Sequence, residues 1–546
     1  MAPHHPRLVL MAAALLLLAP SLVMGTLISH DSARNLSWAA QFADQFRAGV
    51  LYPRWLPDSF EKLGGPIFYY YPPLGYWLDA LLSAATANLL SVSYRLSLSR
   101  LLLLWASGLA MYAWLKGEAK SPRAALYGAL AYMAAPYHLV DHYLRGAYAE
   151  FAAYAVLPLV MLAVRHVAER RRFGLMFLAI AYAALSMTHV PTALLVSLTA
   201  LPMYVLYCGW RLGAMRPATG FFIRCALGGA LGLGLAAIYL LPALSLQGWI
   251  SAEELWIAEH FHIENWYLLP RALRGQLDDL TMITAWAALA YSIAAMGVLT
   301  VSVRAGRWRS EEAFWAFVCS LCLLFVAGVF PWFWQLPFAA KVQFPWRLMV
   351  VVEFAALTAL CQTPWQAGWR VGSAFFIVAI IGLVPAGYEL GRVTWLQIDQ
   401  SMRESDVPRD NKEYLPAGYP QKPDADLADL SLERLEHLPT ISCTPTPRIC
   451  RAVEERFGGL RIEVEGDASA AVVLRRFFFP AWRLDPALAI TATPLKLVSF
   501  TAPAGRHVWR LKRQALPPEQ WGWAISGLSL ALLLSALAFS ARNRSR

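Results

Sequence analysis

Long apolar runs recur along this chain so closely that little sequence is left to build a water-soluble core. They fall at residues 7–28, 99–115, 122–139, 151–165, 174–188, 190–208, 222–246, 281–302, 312–331, 348–363, 371–390 and 520–541. A helix that crosses a bilayer needs about 20 mostly apolar residues. Inside the bilayer, only helices and closed barrels can satisfy every backbone polar group. Of the 546 residues, 58% are hydrophobic and 15% are charged, which excludes an ordinary soluble domain. The pattern predicts a polytopic α-helical membrane protein with about 12 transmembrane helices.

One further apolar stretch, 72–91, is ambiguous, and charge decides it. Short cytoplasmic loops collect Lys and Arg. If 72–91 stays on one face, one side of the membrane gathers Arg7, Lys116, Lys120, Arg123, Arg165, Arg170, Arg171, Arg172, Arg211, Arg216, Arg224, Arg304, Arg307, Arg309, Arg542, Arg544 and Arg546. The opposite side then holds the acidic loop 247–280, with Glu253, Glu254, Glu259, Glu264, Asp278 and Asp279. If 72–91 crosses, this agreement collapses. It is therefore expected as a juxtamembrane or re-entrant helix of the first outer loop, with both termini cytoplasmic in a bacterial inner membrane. The first apolar run is read as an uncleaved helix, since no small-residue cleavage site precedes the loop. The net charge of +11 follows topology, so nucleic acid is not an expected partner.

This divides the chain into a transmembrane module at 1–390, an outer soluble domain at 391–519, and a last helix with a basic tail at 520–546. Within the first lies a long outer loop, 29–98. The soluble part alternates apolar and polar residues in GLRIEVEG, SAAVVLRRFFFPAWRL, LAITATP and HVWRLKR, and so reads as a small β-rich domain. It is expected either to position an acceptor or to serve as a structural lid. Cys443 and Cys450 flank a short Pro-containing loop there and are expected as a disulfide. Cys319 and Cys322 share a predicted span and read as helix packing.

Ionisable groups at a bilayer are costly and mark function. Several meet on the predicted outer face. His30 and Asp31 leave the first span, with Arg34 one turn on. The segment YHLVDHYLRGAYAEF supplies Asp141, His142, Arg145 and Glu150. His189 sits at a turn before Pro191. Lys341 and Arg347 enter the tenth span in KVQFPWR, and Glu353 lies a turn and a half deeper, where it is expected to neutralise Arg347. Each residue has a structural reading as well. Asp31 fits a helix N-cap, Arg145 and Glu150 an interfacial ion pair, His189 a satisfied helix end, and Arg347 a headgroup anchor. Trp55, Tyr69, Tyr70 and Tyr71 offer faces for a sugar or lipid, or serve as interfacial anchors. The chain has no nucleotide-binding motif, so an activated donor has to arrive through the lipid. A carboxylate can act as general base on an acceptor hydroxyl, while Arg and Lys stabilise a departing phosphate.

The acidic residue after the first span, the long first outer loop and the polar second one resemble the GT-C membrane glycosyltransferases. More closely, LYPRW, GGPIFYYYPPLGY, YLRGAYAEFAAYAVLPL, SMTHVPTALL and VQFPWR together look like the bacterial membrane proteins called pyruvoyl-tetrahydropterin synthase-related. The tail, FFFPAWRL and FTAPAGRHVWRLKR, is similar to their YfhO-like branch. The resemblance implies a GT-C-like fold, inverting transfer and Asp31 as the catalytic carboxylate. It implies a second-loop partner among Asp141, Arg145 and Glu150. Some GT-C enzymes hold Mg²⁺ or Mn²⁺ between paired carboxylates. This chain has no tight acidic pair, so a metal-free mechanism is the expectation, with Asp31 and Asp141 as the set for a metal if one is present.

The resulting expectation is a transferase moving sugar from a polyprenyl-phosphate donor to a glycolipid, surface polymer or protein acceptor. Asp31 would be the base, with Glu150 orienting Arg145. Arg145, Arg347 and Lys341 would hold the donor phosphate. His30, Asp141, His142, His189, Tyr70 and Tyr71 would line the pocket. A flippase for a lipid-linked glycan and a non-catalytic assembly protein of the same fold are the rival readings. Fold analogy alone does not decide among them.

Overall fold

The computed structural model describes residues 5–117, 119, 121–213, 217–252, 262–364, 369–403, 412–419, 435 and 437–542. Of the residues used above to set topology, Lys120, Arg216, Glu253, Glu254, Glu259, Arg544 and Arg546 lie outside these.

Among the described residues, eight helices are long and apolar enough to cross a membrane. They correspond to eight of the expected spans. The other four expected spans are built from shorter helices. The first is split into α1 (Pro6–Leu17) and α2 (Ala19–Met24), and Pro20 lies in the first turn of α2. After α3 (Ser32–Arg47) in the first loop comes α4 (Leu74–Ala85), whose 12 residues are too few to cross. It packs on α3, and α5 (Val92–Leu115) then makes a full span.

The expected span 122–139 is also broken, into α6 (Pro122–Met133) and α7 (Pro136–Tyr143). Pro136 has no N–H to continue the helix and biases Ala135 to extended geometry, here φ −60°, ψ 136°. A restarted helix exposes new unpaired N–H groups. The buried carboxylate of Glu353 accepts one of them, from Tyr137 N at 2.8 Å, and also accepts the Tyr154 hydroxyl at 2.7 Å. Glu353 thus caps a broken helix. The expectation that it neutralises Arg347 does not hold.

The bundle continues through α8 (Tyr148–Ala168), α9 (Gly174–Thr188), α10 (Val190–Gly213, bent at Thr199) and α11 (Thr219–Ser245). Next come α12 (Asp279–Arg304), α13 (Glu311–Ala327) and α14 (Met349–Gln362). α15 (Trp369–Arg403) runs on past residue 390, where the soluble domain had been expected to begin. The bundle core is aromatic where the helices cross. Trp114 packs on Trp315 at 5.7 Å and Phe354 at 5.5 Å, and its indole N–H donates to Thr358 Oγ1 at 2.9 Å.

The tail folds as two four-stranded antiparallel sheets. One has the order β1 (Ile441–Thr444), β4 (Ala470–Phe477), β7 (Leu497–Ala502), β6 (Thr491–Ala492); the other has β2 (Ile449–Glu454), β3 (Leu460–Gly466), β8 (Gly505–Arg513), β5 (Trp482–Asp485). Strict alternation buries Leu460, Ile462 and Val464 from one sheet and Val472 and Leu474 from the other. Cys443 and Cys450 are bonded to each other across the turn between β1 and β2. Cys319 and Cys322 are free thiols buried inside α13. The last helix, α16 (Pro517–Arg542), returns to pack along α11.

The sandwich is seated on the long loop that follows the first span. Phe477 N donates to Leu63 O at 2.9 Å, and Trp55 packs on Trp482 at 5.1 Å. The loop takes three consecutive left-handed residues, Phe60, Glu61 and Lys62. Such backbone costs about 1–3 kcal/mol per residue and persists only where its surroundings hold it. Buried Arg476 does so, donating to Pro57 O at 3.2 Å and Lys62 O at 3.1 Å. A second lock joins the sandwich to the membrane helices. Glu519, on α16, pairs with Arg54 at 3.0 Å and accepts the Tyr69 hydroxyl at 2.9 Å.

Candidate active site

The polar segment after the first span and the one before α8 are tied together through their backbones. His30 N donates to Leu144 O at 3.2 Å, and Asp31 N to Arg145 O at 2.9 Å. Asn35, one turn into α3 and buried, donates its amide to Gly146 O at 2.7 Å and accepts the Tyr76 hydroxyl at 2.7 Å. Gly146 has φ +64°, and a Cβ there would lie 2.3 Å from Ser29 Oγ. Only glycine lets the chain pass this close in a left-handed conformation.

Asp31 stands at the N-cap position of α3, but its side chain makes no cap bond. It pairs with Arg34. Below it lies a second charged group. Glu150, in the first turn of α8, suits the positive end of that helix. It accepts Arg145 Nη1 at 2.7 Å and the Tyr137 hydroxyl at 2.8 Å. Its carboxylate is 3.6 Å from Arg347 Nε and 4.0 Å from His189 Nε2. The break at Pro136 is what brings Tyr137 to this point. His189, at the junction of α9 and α10, is held by Thr192 Oγ1 at 2.8 Å.

These groups surround a cavity of about 680 Å³. His30, Asp31, Arg34, Arg145, Glu150, His189 and Arg347 line it. Tyr70, Tyr71, Tyr239 and Tyr414 form one aromatic wall, and Trp266, Phe344 and Trp346 form another, with Phe344 stacked on Trp346 at 4.5 Å. Asp278, Asp279 and Glu413 complete the rim. Burial raises the Tyr70 and Tyr71 phenols above their ordinary range, so both stay neutral donors.

Five expected site residues lie elsewhere. Lys341 is exposed and does not line the cavity, because the short helical turn Ala339–Val342 carries it away while Gln343 to Arg347 fold inward. Asp141 is fully buried behind Arg145 and pairs with it. His142 is buried one residue on and is bonded to Ser21 Oγ at 2.8 Å. Trp55 and Tyr69 serve the interface with the sandwich rather than the cavity. Tyr239, Trp266 and Tyr414 also line the cavity but come from distant segments that the sequence reading did not single out. Phe344 and Trp346 do belong to the VQFPWR motif. Among the described residues, no three His, Cys, Asp or Glu side chains gather as a metal site. Asp31 and Asp141 each face a guanidinium, so they do not make a pair fitted to a divalent ion.

The spans and the family comparison define a multi-pass membrane protein. The chain belongs to the 6-pyruvoyl-tetrahydropterin synthase related family of membrane proteins, whose profile matches residues 68–390. Among solved structures it is similar to the arabinofuranosyltransferase AftD from Mycobacteria, at 18% identity and a TM-score of 0.44 over 73% of this chain. The match spans 27% of that longer chain. It is also similar to ArnT from Cupriavidus metallidurans bound to undecaprenyl phosphate, at 15% identity and a TM-score of 0.38, over 73% of this chain and 75% of that one. No relative is found among the curated proteins.

Proposed function

We propose that this protein is a membrane glycosyltransferase of the GT-C type. It would take a sugar from a polyprenyl-phosphate donor and pass it to an acceptor on the outer face of a bacterial inner membrane. The observation that carries the reading is one cavity holding a carboxylate at its rim, two guanidiniums at its floor and aromatic walls between them.

In this account the donor phosphate sits against Arg145 and Arg347, whose charge offsets the negative charge that builds as the sugar–phosphate bond breaks. Asp31 takes the acceptor hydroxyl proton. The acceptor oxygen bonds to the anomeric carbon as the phosphate leaves from the opposite side, so the configuration inverts. Arg34 pairs with the Asp31 carboxylate and holds it at the rim. Glu150 orients Arg145 and Arg347, and Tyr70 and Tyr71 pack against sugar or isoprenoid. The acceptor is a glycolipid, a surface polymer or a protein.

The test compares envelope glycans and polyprenyl-phosphate sugars in wild-type, deletion and Asp31→Asn cells. Loss of one glycan and build-up of one lipid-linked sugar in both altered strains supports the reading. A point variant that matches wild type, beside a deletion that does not, overturns Asp31 as the base.

A further inference from the structure

The sandwich turns one sheet face outward, and its charges are arranged at a cost. On β8, Val508, Arg510 and Lys512 are exposed, alternating with buried Trp509 and Leu511. The register sets Arg510 directly opposite Arg461 of β3, and Lys512 directly opposite Arg483 of β5. Like charges facing each other across strands destabilise a sheet. One row away, Arg451 of β2 stands on the same face beside Glu463.

Carboxylates answer only part of this charge. Arg510 pairs with Glu455 at 3.3 Å, Lys512 with Asp485 at 2.8 Å, and Arg506 with Glu463 at 2.8 Å. Arg451, Arg461 and Arg483 have no carboxylate partner among the described residues, and all three are exposed. Neighbouring strands lie about 4.8 Å apart, and alternate residues along a strand about 6.7 Å apart. The cations therefore form an open, flat lattice rather than an enclosing site. A single small anion is poorly held by such a surface. A chain with an acidic group on successive units can meet several cations at once.

We infer that the outer face of the β2–β3–β8–β5 sheet docks an anionic glycan polymer, bearing carboxylate or sulfate-like groups along its length. Arg451, Arg461 and Arg483 make the main contacts. This assigns the sandwich a binding role that does not depend on the transferase reading.

The test uses full-length protein in nanodiscs of zwitterionic lipid, with polygalacturonate, dextran sulfate and neutral dextran as probes. The acidic polymers should bind, more weakly as salt rises, and neutral dextran should not. Arg461→Glu combined with Arg483→Glu should weaken binding by about tenfold or more. The same change should leave thermal stability equal or higher, since each new carboxylate faces a cation across the strand pair. Arg123→Glu, at the end of the bundle away from the sandwich, should change neither. Equal binding by the double variant and wild type would overturn the proposal, as would equal binding of neutral dextran. Binding to vesicles containing anionic phospholipid but to neither acidic polymer would also overturn it.

Discussion

The backbone N–H of Asp31 donates to the carbonyl of Arg145 at 2.9 Å. Two segments more than a hundred residues apart in sequence thus meet at the residues that carry the opposite charges of the cavity. The carboxylate at the rim and the guanidinium at the floor are held in register by main chain, so their spacing does not depend on their own side-chain contacts.

That arrangement separates chemistry from folding at Asp31. Asp31→Asn keeps the backbone bond and loses only the charge opposite Arg34. The variant should accumulate in the membrane like wild type, and transfer should fall by about a hundredfold or more, the usual worth of a positioned general base. Turnover of labelled polyprenyl-phosphate sugar per unit of purified protein measures it.

The clasp itself should be fragile. Gly146→Ala places a Cβ 2.3 Å from Ser29 Oγ at φ +64° and should cost about 1–3 kcal/mol. Asn35→Ala removes the amide that bonds both Gly146 O and the Tyr76 hydroxyl, leaving buried groups unpaired at about 1–3 kcal/mol. Thermal unfolding in detergent should show both losses.

Arg145 and Arg347 should differ in kind. Arg145 pairs with both Asp141 and Glu150, which are buried. Arg145→Met strands the buried Asp141 carboxylate and leaves Glu150 only Tyr137, His189 and the more distant Arg347, and should destabilise by about 3–5 kcal/mol, seen as lost expression. Arg347 lies farther from Glu150, at 3.6 Å, and donates to the backbone carbonyl of Val342 at 2.8 Å. Arg347→Gln should fold nearly as well as wild type and bind polyprenyl phosphate more weakly, which a stability assay run beside a lipid-binding assay separates.

The seat of the sandwich rests on Glu519. It faces Arg54, which is 1% exposed, and Tyr69, the neighbour of the cavity residue Tyr70. Glu519→Ala leaves Arg54 buried without its carboxylate, at about 3–5 kcal/mol. Glu519→Gln should recover part of that by keeping the Tyr69 bond. Protease resistance of the sandwich in membranes reports the difference.

Much of this layout is legible in the sequence because its signals are local. Apolar runs mark the helices, and alternation such as LRIEVEG marks the strands. YLRGAYAE and VQFPWR place Arg145, Glu150 and Arg347 in short polar stretches beside apolar ones, and the structure brings them round one cavity with Asp31. The sequence is silent where a partner comes from far away. Glu353 looks like the neighbour of Arg347 by helical spacing, yet the break at Pro136 offers it an unpaired N–H instead. Lys341 shares a motif with Arg347, but one short helical turn separates their directions. Trp55 and Tyr69 look like sugar platforms until the sandwich, more than four hundred residues away, covers them. Trp266 and Tyr414 belong to polar loops whose sequences give no sign that they fold onto this cavity.

The most direct test of the account uses wild type, Asp31→Asn and Arg347→Gln, each purified into nanodiscs with polyprenyl-phosphate sugars extracted from the deletion strain. Binding and transfer are measured on the same samples. The account predicts that Asp31→Asn binds the donor as wild type does but does not transfer it, while Arg347→Gln binds it poorly. Normal transfer by Asp31→Asn, or donor binding that is unchanged in Arg347→Gln, would contradict it.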